Sequence, residues 1–352
     1  MKKSLKRRDF IKTVSLTGAS LALSNTLSAG SLIAEENLSN ISNDFFTLKF
    51  NIQKGYFNLF GRNGELLISE GLSEIISDSG KYLLNDNSYT HRSEILPIND
   101  LLGKGQMLKI LSADSKKRFD FETRFTLYDS RRAVFFEVIA KNKTDREVHV
   151  NCIQPIRVLE SEGGSVIIPE IAKCMTNGAM YYDAGQVHTF SSPFKKSSPY
   201  GETKGGILSE SVLPSKNETV LSWWNLALFS DYQKEGVVLG YLETRQGFGQ
   251  ILISKTSENR FSIVAESVFG PGVKLKPMQE ISSDRLVITI GNDPFSVLEE
   301  YAEMSGLVSK ARIRSVINGW CNWFYTYEHI SAAEVLRNAE FASGNLKGYG
   351  FE

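Results

Sequence analysis

Short segments in which apolar and polar residues alternate dominate residues 46–290, and no convincing helical pattern separates them. Every second residue of Phe46–Ile52 is apolar, and Tyr56–Phe60 returns after a turn at Gly55, which is the pattern of a hairpin. Further strands are predicted at Phe119–Tyr128, Ala133–Ala140, Val148–Ile153, Ser165–Ile168, Thr219–Ser230, Gly236–Glu243, Gln250–Ser254, Phe261–Val264 and Leu286–Ile290. Strands at this spacing predict a mainly β domain, a sandwich of two large antiparallel sheets.

Two other segments complete this part of the chain. Ser191–Asn217 is rich in Ser, Lys, Pro and Gly, and its length suits either a functional or a mobile loop, of which we favour the mobile one. At residues 291–313, Asp293 followed by Pro294 is typical of a helix start. The predicted apolar stripe of this helix is Phe295, Leu298, Tyr301, Ala302 and Met304. We interpret the helix as a connector to a second domain.

Composition excludes several classes of function. The 352 residues allow two or three domains, and 40 Lys and Arg balance 40 Asp and Glu, so no basic face indicates nucleic acid. Cys152, Cys174 and Cys321 are too far apart for a metal site and are expected to be buried free thiols. The four histidines are isolated, and Gly247–Gly249 lacks the third glycine of a dinucleotide loop, so we interpret it as a turn. Residues 35–352 contain no apolar stretch of ~20 residues that could span a membrane.

The N-terminus has the pattern of an export signal. Arg7 and Arg8, with Phe10 and Lys12 after them, precede a weakly apolar stretch and several small residues. We therefore expect residues 1–34 to be a twin-arginine signal peptide and residues 35–45 to be a linker. An ordinary secretory signal with two arginines is the alternative. Both interpretations place the mature protein in the periplasm or outside the cell, and the first makes the twin-arginine translocase a partner during export.

The C-terminal segment 314–352 predicts the beginning of a barrel. An apolar run, Arg314–Asn318, leads into Gly319–Tyr325, and a capping box, Ser331–Glu334, starts a helix. Val335, Leu336, Ala339 and Ala342 recur on one face of that helix, which we expect to be buried against a strand, and Gly344 ends it. A (β/α)8 barrel needs eight such units and roughly 250 residues. We expect that only its first unit is present.

Aromatic residues follow the predicted barrel strand, at the position where barrel enzymes place their active sites. A flat indole beside the apolar face of a sugar excludes water from both surfaces. The candidate substrate-binding residues are Trp320, Cys321, Trp323 and Tyr325. Core packing is the alternative for both indoles; we favour the site for Trp323, whereas Trp320 is equally suited to either role.

The stretch Val316–Glu340 resembles the first β/α unit of family 36 glycoside hydrolases, the α-galactosidases and raffinose-synthase-like enzymes, through Gly319–Trp323 and Ile330–Glu340. The resemblance implies a β-supersandwich followed by a catalytic barrel. It also implies that Trp323 is the first-strand Trp that lines the galactose pocket. In that family, paired Asp residues after the second strand bind galactose, and the Asp nucleophile and the Asp acid/base come from the fourth and sixth strands. Gly348–Glu352 is expected to enter the second strand, so these residues are expected beyond Glu352.

The activity implied by this resemblance is retaining hydrolysis of terminal α-linked galactose by two carboxylates. It requires no metal or organic cofactor, and its partner is an α-galactoside oligosaccharide or glycan; a homo-oligomer is left open. We expect the chain alone to be inactive, because no catalytic aspartate can be assigned in it. The alternatives are a non-catalytic carbohydrate-binding β-sandwich module, a raffinose-synthase-type transglycosylase and an α-N-acetylgalactosaminidase.

Overall fold

A computed structural model describes residues 37–168, 170–178, 185–190, 219–230, 235–257, 259–312 and 319–351. The export signal with Arg7 and Arg8, the whole 191–217 loop and the predicted strand at 314–318 lie outside the described residues. The chain forms two compact units, Met1–Ser309 and Lys310–Glu352.

The first unit contains twenty strands among its described residues. The first ten are β1 (Leu38–Ser42), β2 (Phe46–Asn51), β3 (Tyr56–Gly61), β4 (Leu66–Ser77), β5 (Gly80–Leu83), β6 (Tyr89–Asp100), β7 (Gly103–Asp114), β8 (Phe119–Tyr128), β9 (Ala133–Asn142) and β10 (Val148–Val158). The others are β11 (Ser165–Ile167), β12 (Ile171–Thr176), β13 (Gln186–Thr189), β14 (Thr219–Trp223), β15 (Asn225–Ser230), β16 (Gly236–Tyr241), β17 (Phe248–Ser257), β18 (Arg260–Leu275), β19 (Glu280–Ser282) and β20 (Leu286–Gly291).

These strands form two ten-stranded sheets, and all described strand pairs are antiparallel. Sheet one has the order β1-β2-β3-β4-β10-β18-β17-β14, with β11 between β18 and β4 and with β5 beside β4. Sheet two has the order β13-β12-β15-β16-β20-β9-β8-β7-β6, with β19 beside β9. The predicted mainly β fold with two large antiparallel sheets is therefore confirmed.

The two sheets enclose a core rich in phenylalanine. Phe57 of sheet one lies 5.1 Å from Phe125 and 5.5 Å from Phe136 of sheet two, measured between ring centroids. All three rings are fully buried. Gly71 on the neighbouring strand lies directly under the Phe57 ring, where a Cβ would overlap its carbons. The inward-facing residues of the alternating strands thus form the core, as their period of two predicts.

The structure differs from the sequence prediction in several elements. The strand β1 lies inside the stretch expected to be a linker, and β17 begins at Phe248, within the expected Gly247–Gly249 turn. The single strand predicted at Thr219–Ser230 is two strands, β14 in sheet one and β15 in sheet two. The chain passes between the sheets at Trp224, which has a positive φ of 62°.

The connector helix, α1 (Pro294–Ser309), packs on sheet two and begins as predicted. The Asp293 carboxylate accepts a hydrogen bond from the Ser296 N–H at 2.8 Å. The predicted apolar stripe is partly wrong, because Phe295 and Ala302 are exposed. The residues that α1 buries are Pro294, Val297, Tyr301 and Met304.

The second unit is helical in its described part. It contains α2 (Trp323–Thr326), α3 (Ala332–Asn345) and short 3-10 turns at Tyr327–His329 and Lys347–Tyr349. The Ser331 hydroxyl accepts from the Glu334 N–H at 3.3 Å, which is the predicted cap. Helix α3 continues past Gly344 to Asn345. Among the described residues, no helix has the length and apolar character needed to cross a membrane.

Candidate functional site

The four predicted substrate-binding residues lie together in the second unit, immediately before and within α2. Trp320 is 46% exposed, Trp323 55% and Tyr325 85%, and Cys321 is also exposed. Neither indole is sealed in a hydrophobic core. Such a group of exposed aromatic side chains provides flat apolar surfaces to a ligand.

Backbone hydrogen bonds hold this aromatic segment in a single helical turn. The Asn322 carbonyl oxygen accepts from the N–H groups of Tyr325 and Thr326, both at 3.0 Å. Tyr327 follows with a φ of 50°, and its N–H donates to the Trp323 carbonyl. The Trp323 and Tyr327 rings meet edge to face, with centroids 5.8 Å apart. The orientation of Trp323 is therefore supported by a neighbouring aromatic ring as well as by its own backbone.

The apolar face predicted for α3 is mostly exposed. Ala342 is buried, but Val335, Leu336 and Ala339 are exposed, so the expected burial of this face is wrong for three of its four residues. Nothing among the described residues covers them. The strand against which we expected the helix to pack, 314–318, lies outside the described residues.

The thiols and histidines form no metal site within the described residues. No three His, Cys, Asp or Glu side chains there are placed to hold one ion. Cys152 and Cys174 are buried, as expected, and form no disulfide among the described residues, whereas Cys321 is exposed. Burial raises the pKa of the Cys174 thiol to about 12, so this group stays protonated and unreactive at neutral pH.

A row of buried polar side chains crosses the outer face of sheet one. Glu74, Gln154, Glu266 and Gln250 each stand next to an inward-facing apolar residue in their strands β4, β10, β18 and β17, and all four are at most 1% exposed. The Gln154 amide donates to Glu266 at 2.8 Å. Polar groups at this depth need partners, since desolvation otherwise costs free energy.

Arg157 is the cation of this row. Its guanidinium donates to Glu74 at 3.2 Å and to the two carboxylate oxygens of Glu162 at 3.0 and 2.6 Å. Burial raises the pKa of Glu74, and the charge of Arg157 opposes that rise. The Arg157 side chain therefore keeps a buried carboxylate compensated within the sheet.

A second aromatic cluster lies at the end of this row and was missed from sequence. Trp223 is buried between two more exposed rings, Trp224 at 6.3 Å and Phe248 at 6.2 Å between centroids. The available signal was the Trp-Trp pair itself, which interrupts an otherwise aliphatic strand pattern. The apolar pattern around the pair nevertheless predicts one continuous strand, Thr219–Ser230.

A cleft of about 440 Å³ lies on sheet two, with Arg92, Glu122, Lys141 and Glu280 among its lining residues. Four of its charged side chains form ion pairs with each other or with neighbours: Asp120, Glu122, Lys141 and Glu280. Lys141 lies 2.9 Å from Glu280, and Lys109 lies 3.4 Å from Glu122. Such cross-strand ion pairs are common on the solvated face of a sheet, so the cleft is a weaker candidate than the aromatic segments.

Comparisons with known proteins identify the fold. No family model and no curated protein matches this sequence. Among solved structures, an α-galactosidase from Lactobacillus brevis matches with a TM-score of 0.54 and 10% sequence identity, over 88% of this chain and 48% of that one. The galactosidase domain of an α-galactosidase–sucrose kinase matches with a TM-score of 0.51 and 10% identity, over 88% and 49%.

A third match is a GH36 α-galactosidase from Geobacillus stearothermophilus in complex with 1-deoxygalactonojirimycin. Its TM-score is 0.50 and its identity 12%, with 87% of this chain and 48% of that chain covered. The chain therefore shares its fold with α-galactosidases, including one of family GH36, and spans about half the length of the solved structures it matches.

Proposed function

We propose that this chain is the N-terminal part of an exported α-galactosidase of glycoside hydrolase family 36, and that the whole protein releases terminal α-linked galactose with retention of configuration. One observation carries the proposal. The fold matches α-galactosidases over 88% of the chain, and the same chain carries an exposed Trp320–Tyr325 segment that resembles the galactose-facing segment of that family.

In this proposal Trp323 stacks on the apolar face of galactose. Its ring is more than half exposed, and the edge-to-face contact with Tyr327 limits the rotation of its side chain. An aromatic contact of this kind adds on the order of 1 kcal/mol beyond the burial of area. Trp320, Cys321 and Tyr325 extend the same surface.

The bond-breaking groups of the proposed reaction are two carboxylates. In a retaining glycosidase one carboxylate attacks the anomeric carbon, the other protonates the leaving oxygen, and water then releases the sugar. No residue of this chain is assigned to either role. The chain's own contribution is to bind and orient galactose, so the activity belongs to a polypeptide that also contains the later barrel strands.

The activity is tested on the whole native gene product, purified from cells that express it, with raffinose as substrate. Proton NMR should show galactose release with the α-anomer appearing first. If the β-anomer appears first, the retaining mechanism is wrong. If galactose is transferred to a second sugar rather than to water, the transglycosylase alternative is correct. If raffinose is neither cleaved nor bound, the proposal fails.

Export is a separate part of the proposal, based on Arg7 and Arg8. A variant with both residues changed to Lys keeps the positive charge but loses the twin-arginine pattern. The unchanged protein should be recovered outside the cytoplasm without about its first 34 residues. The variant should remain in the cytoplasm at full length. Export of the variant at the normal rate would favour an ordinary secretory signal.

A further inference from the structure

The cluster of Trp223, Trp224 and Phe248 lies in the first unit and has no role in the proposed reaction. Trp224 is 37% exposed and Phe248 is 51% exposed, whereas Trp223 between them is 4% exposed. Large aromatic side chains are rarely left in water without a reason when they lie next to one another. The cluster therefore calls for an explanation other than packing.

The backbone presents Trp224 in a fixed and unfavourable conformation. Its φ of 62° is in the left-handed region, which disfavours a residue with a large side chain. Its N–H donates to the Gly249 carbonyl of sheet one at 2.9 Å, and its carbonyl accepts from the Tyr241 N–H of sheet two at 2.8 Å. Both sheets thus hold this residue in place. Backbone strain maintained in this way is more frequent at functional positions.

Polar atoms without partners lie next to these rings. Gln250 is directly opposite Trp223 in the pairing of β17 with β14. The Trp223 Nε1 and both amide atoms of Gln250 are buried and have no hydrogen-bond partner. Gln250 is fully buried. Three unsatisfied atoms in one cross-strand pair are costly. A bound molecule would remove that cost if it accepted a hydrogen bond from the Trp223 Nε1 and both donated to and accepted from the Gln250 amide.

The chemistry of these atoms selects the class of ligand. The indole N–H is a donor, and the amide is both a donor and an acceptor, which suits adjacent hydroxyl groups. Neither Trp223 nor Gln250 carries a positive charge, so the pair offers no cation to hold an anionic ligand. The exposed rings suit an apolar C–H face. A neutral pyranose has all of these features.

We infer that Trp224 and Phe248, with Trp223 and Gln250 behind them, form a second carbohydrate-binding surface on the β-sandwich, specific for neutral sugars. This surface is distinct in sequence from the Trp320–Tyr325 segment and needs no catalytic barrel. It could retain the protein on a polymeric or branched glycan whose terminal residues are cleaved elsewhere.

The binding test uses the full 352-residue chain with Trp320 and Trp323 both changed to Ala, so that the second aromatic segment cannot contribute. The probes are raffinose, stachyose and a galactomannan, measured by isothermal titration calorimetry. We expect saturable binding to at least one probe. The absence of binding to all three, in a chain with unchanged far-UV circular dichroism, would overturn the inference.

Three substitutions in that background locate the surface. Trp224→Gly removes the ring but suits the positive φ, and Phe248→Ala removes the second ring. Each should weaken binding by at least about five-fold, the equivalent of one aromatic contact. Phe295→Ala, at an exposed ring on α1, is the matched control and should bind normally. Equal binding by all three variants would place the sugar elsewhere and overturn the inference.

Gln250→Met separates a binding role from a structural one. The substitution keeps the shape of the side chain and removes two unpartnered polar atoms, so the melting temperature should be unchanged or higher while binding falls. A lower melting temperature with unchanged affinity would show that the amide serves the fold and would contradict its role in binding. A second protein molecule is the alternative occupant of this surface, and light scattering on the Trp224→Gly variant tests it. Dissociation of an oligomer, without any sugar binding, would make the surface a protein interface and overturn the inference.

Discussion

Removing the guanidinium of Arg157 should cost far more stability than a typical surface substitution. The charge lies 3.2 Å from Glu74, and the side chains of the two residues are 4% and 2% exposed. At an effective dielectric constant of about 20, their Coulomb attraction is about 5 kcal/mol, part of which offsets the desolvation of both groups. Glu162, the other partner, is 28% exposed and can regain water. The cost of Arg157→Met therefore comes mainly from leaving Glu74 buried and unpaired.

We expect Arg157→Met to lower the free energy of unfolding by about 3–5 kcal/mol at pH 7. Without the cation, burial should raise the pKa of Glu74 further above its ordinary value. A group whose pKa is raised in the folded state keeps its contribution at low pH and loses it as pH rises through that pKa. The deficit of the variant should therefore be small near pH 4.5 and grow toward pH 7.

Urea unfolding followed by far-UV circular dichroism measures both effects. The double variant Arg157→Met/Glu74→Gln should recover most of the lost stability, because it no longer contains a buried unpaired charge. If the single variant is within 1 kcal/mol of the unchanged protein, Arg157 does not compensate a buried charge on Glu74. A deficit that is the same at pH 4.5 and pH 7, or a double variant as unstable as the single one, would lead to the same conclusion.

Two further predictions concern the first unit. Burial alone would raise the pKa of Asp114, but hydrogen bonds from the side chain and backbone of Arg118 outweigh it and lower the pKa to about 2. Asp114→Asn should therefore destabilise the protein by roughly 2 kcal/mol above pH 4, and progressively less as pH falls from 4 to 2. Equal destabilisation at pH 2 and pH 6 in urea titrations would contradict this. Met304→Ala should lower the free energy of thermal unfolding by about 2–5 kcal/mol, because this side chain of α1 is fully buried on sheet two. Phe295→Ala, on the exposed side of the same helix, should lower it by less than about 1 kcal/mol. Similar losses for the two variants would contradict the packing described for α1.

The sequence predicted the strands whose side chains alternate between core and solvent. Phe46, Leu48 and Phe50 of β2 are buried, and the polar residues between them are partly exposed, so the period of two was visible. Strand β6 was missed because most of its residues face water and its apolar residues Ile95, Leu96 and Ile98 do not alternate strictly. Its strand conformation depends on its pairing with β7, which the residues of β6 alone do not show.

The passage from sheet one to sheet two at Trp224 had no sequence signal of its own. Gly or Asn usually marks a residue of positive φ, but here two tryptophans occupy the junction within an apolar run. The conformation depends on hydrogen bonds to Gly249 and Tyr241, which are distant in sequence. The Trp-Trp pair is visible in the sequence, but the proximity of Phe248 to it follows only from the positions of these strands in their sheets.

In α1 the sequence located the cap but only part of the buried face. Asp293 and Pro294 depend on local chemistry, which a sequence shows directly. Phe295 is apolar and close to the start of the helix, yet Val297, Tyr301 and Met304 face sheet two. The direction in which a short helix faces is set by the sheet on which it packs. The aromatic segment after Gly319 was predictable as a group, because its residues are contiguous.

In the proposed reaction, the aromatic side chain of Trp323 contacts the sugar during galactoside hydrolysis. The most direct measurement is kcat/KM for release of nitrophenol from a nitrophenyl α-galactoside by the whole native gene product, compared with its Trp323→Ala variant and with Phe295→Ala as the control. We predict measurable hydrolysis, a loss of at least about ten-fold for Trp323→Ala, equivalent to about 1.4 kcal/mol of transition-state stabilisation, and no loss for the control. An active enzyme in which Trp323→Ala leaves kcat/KM unchanged would rule out the contact between Trp323 and the sugar. A native gene product that does not hydrolyse the galactoside would rule out the proposed activity.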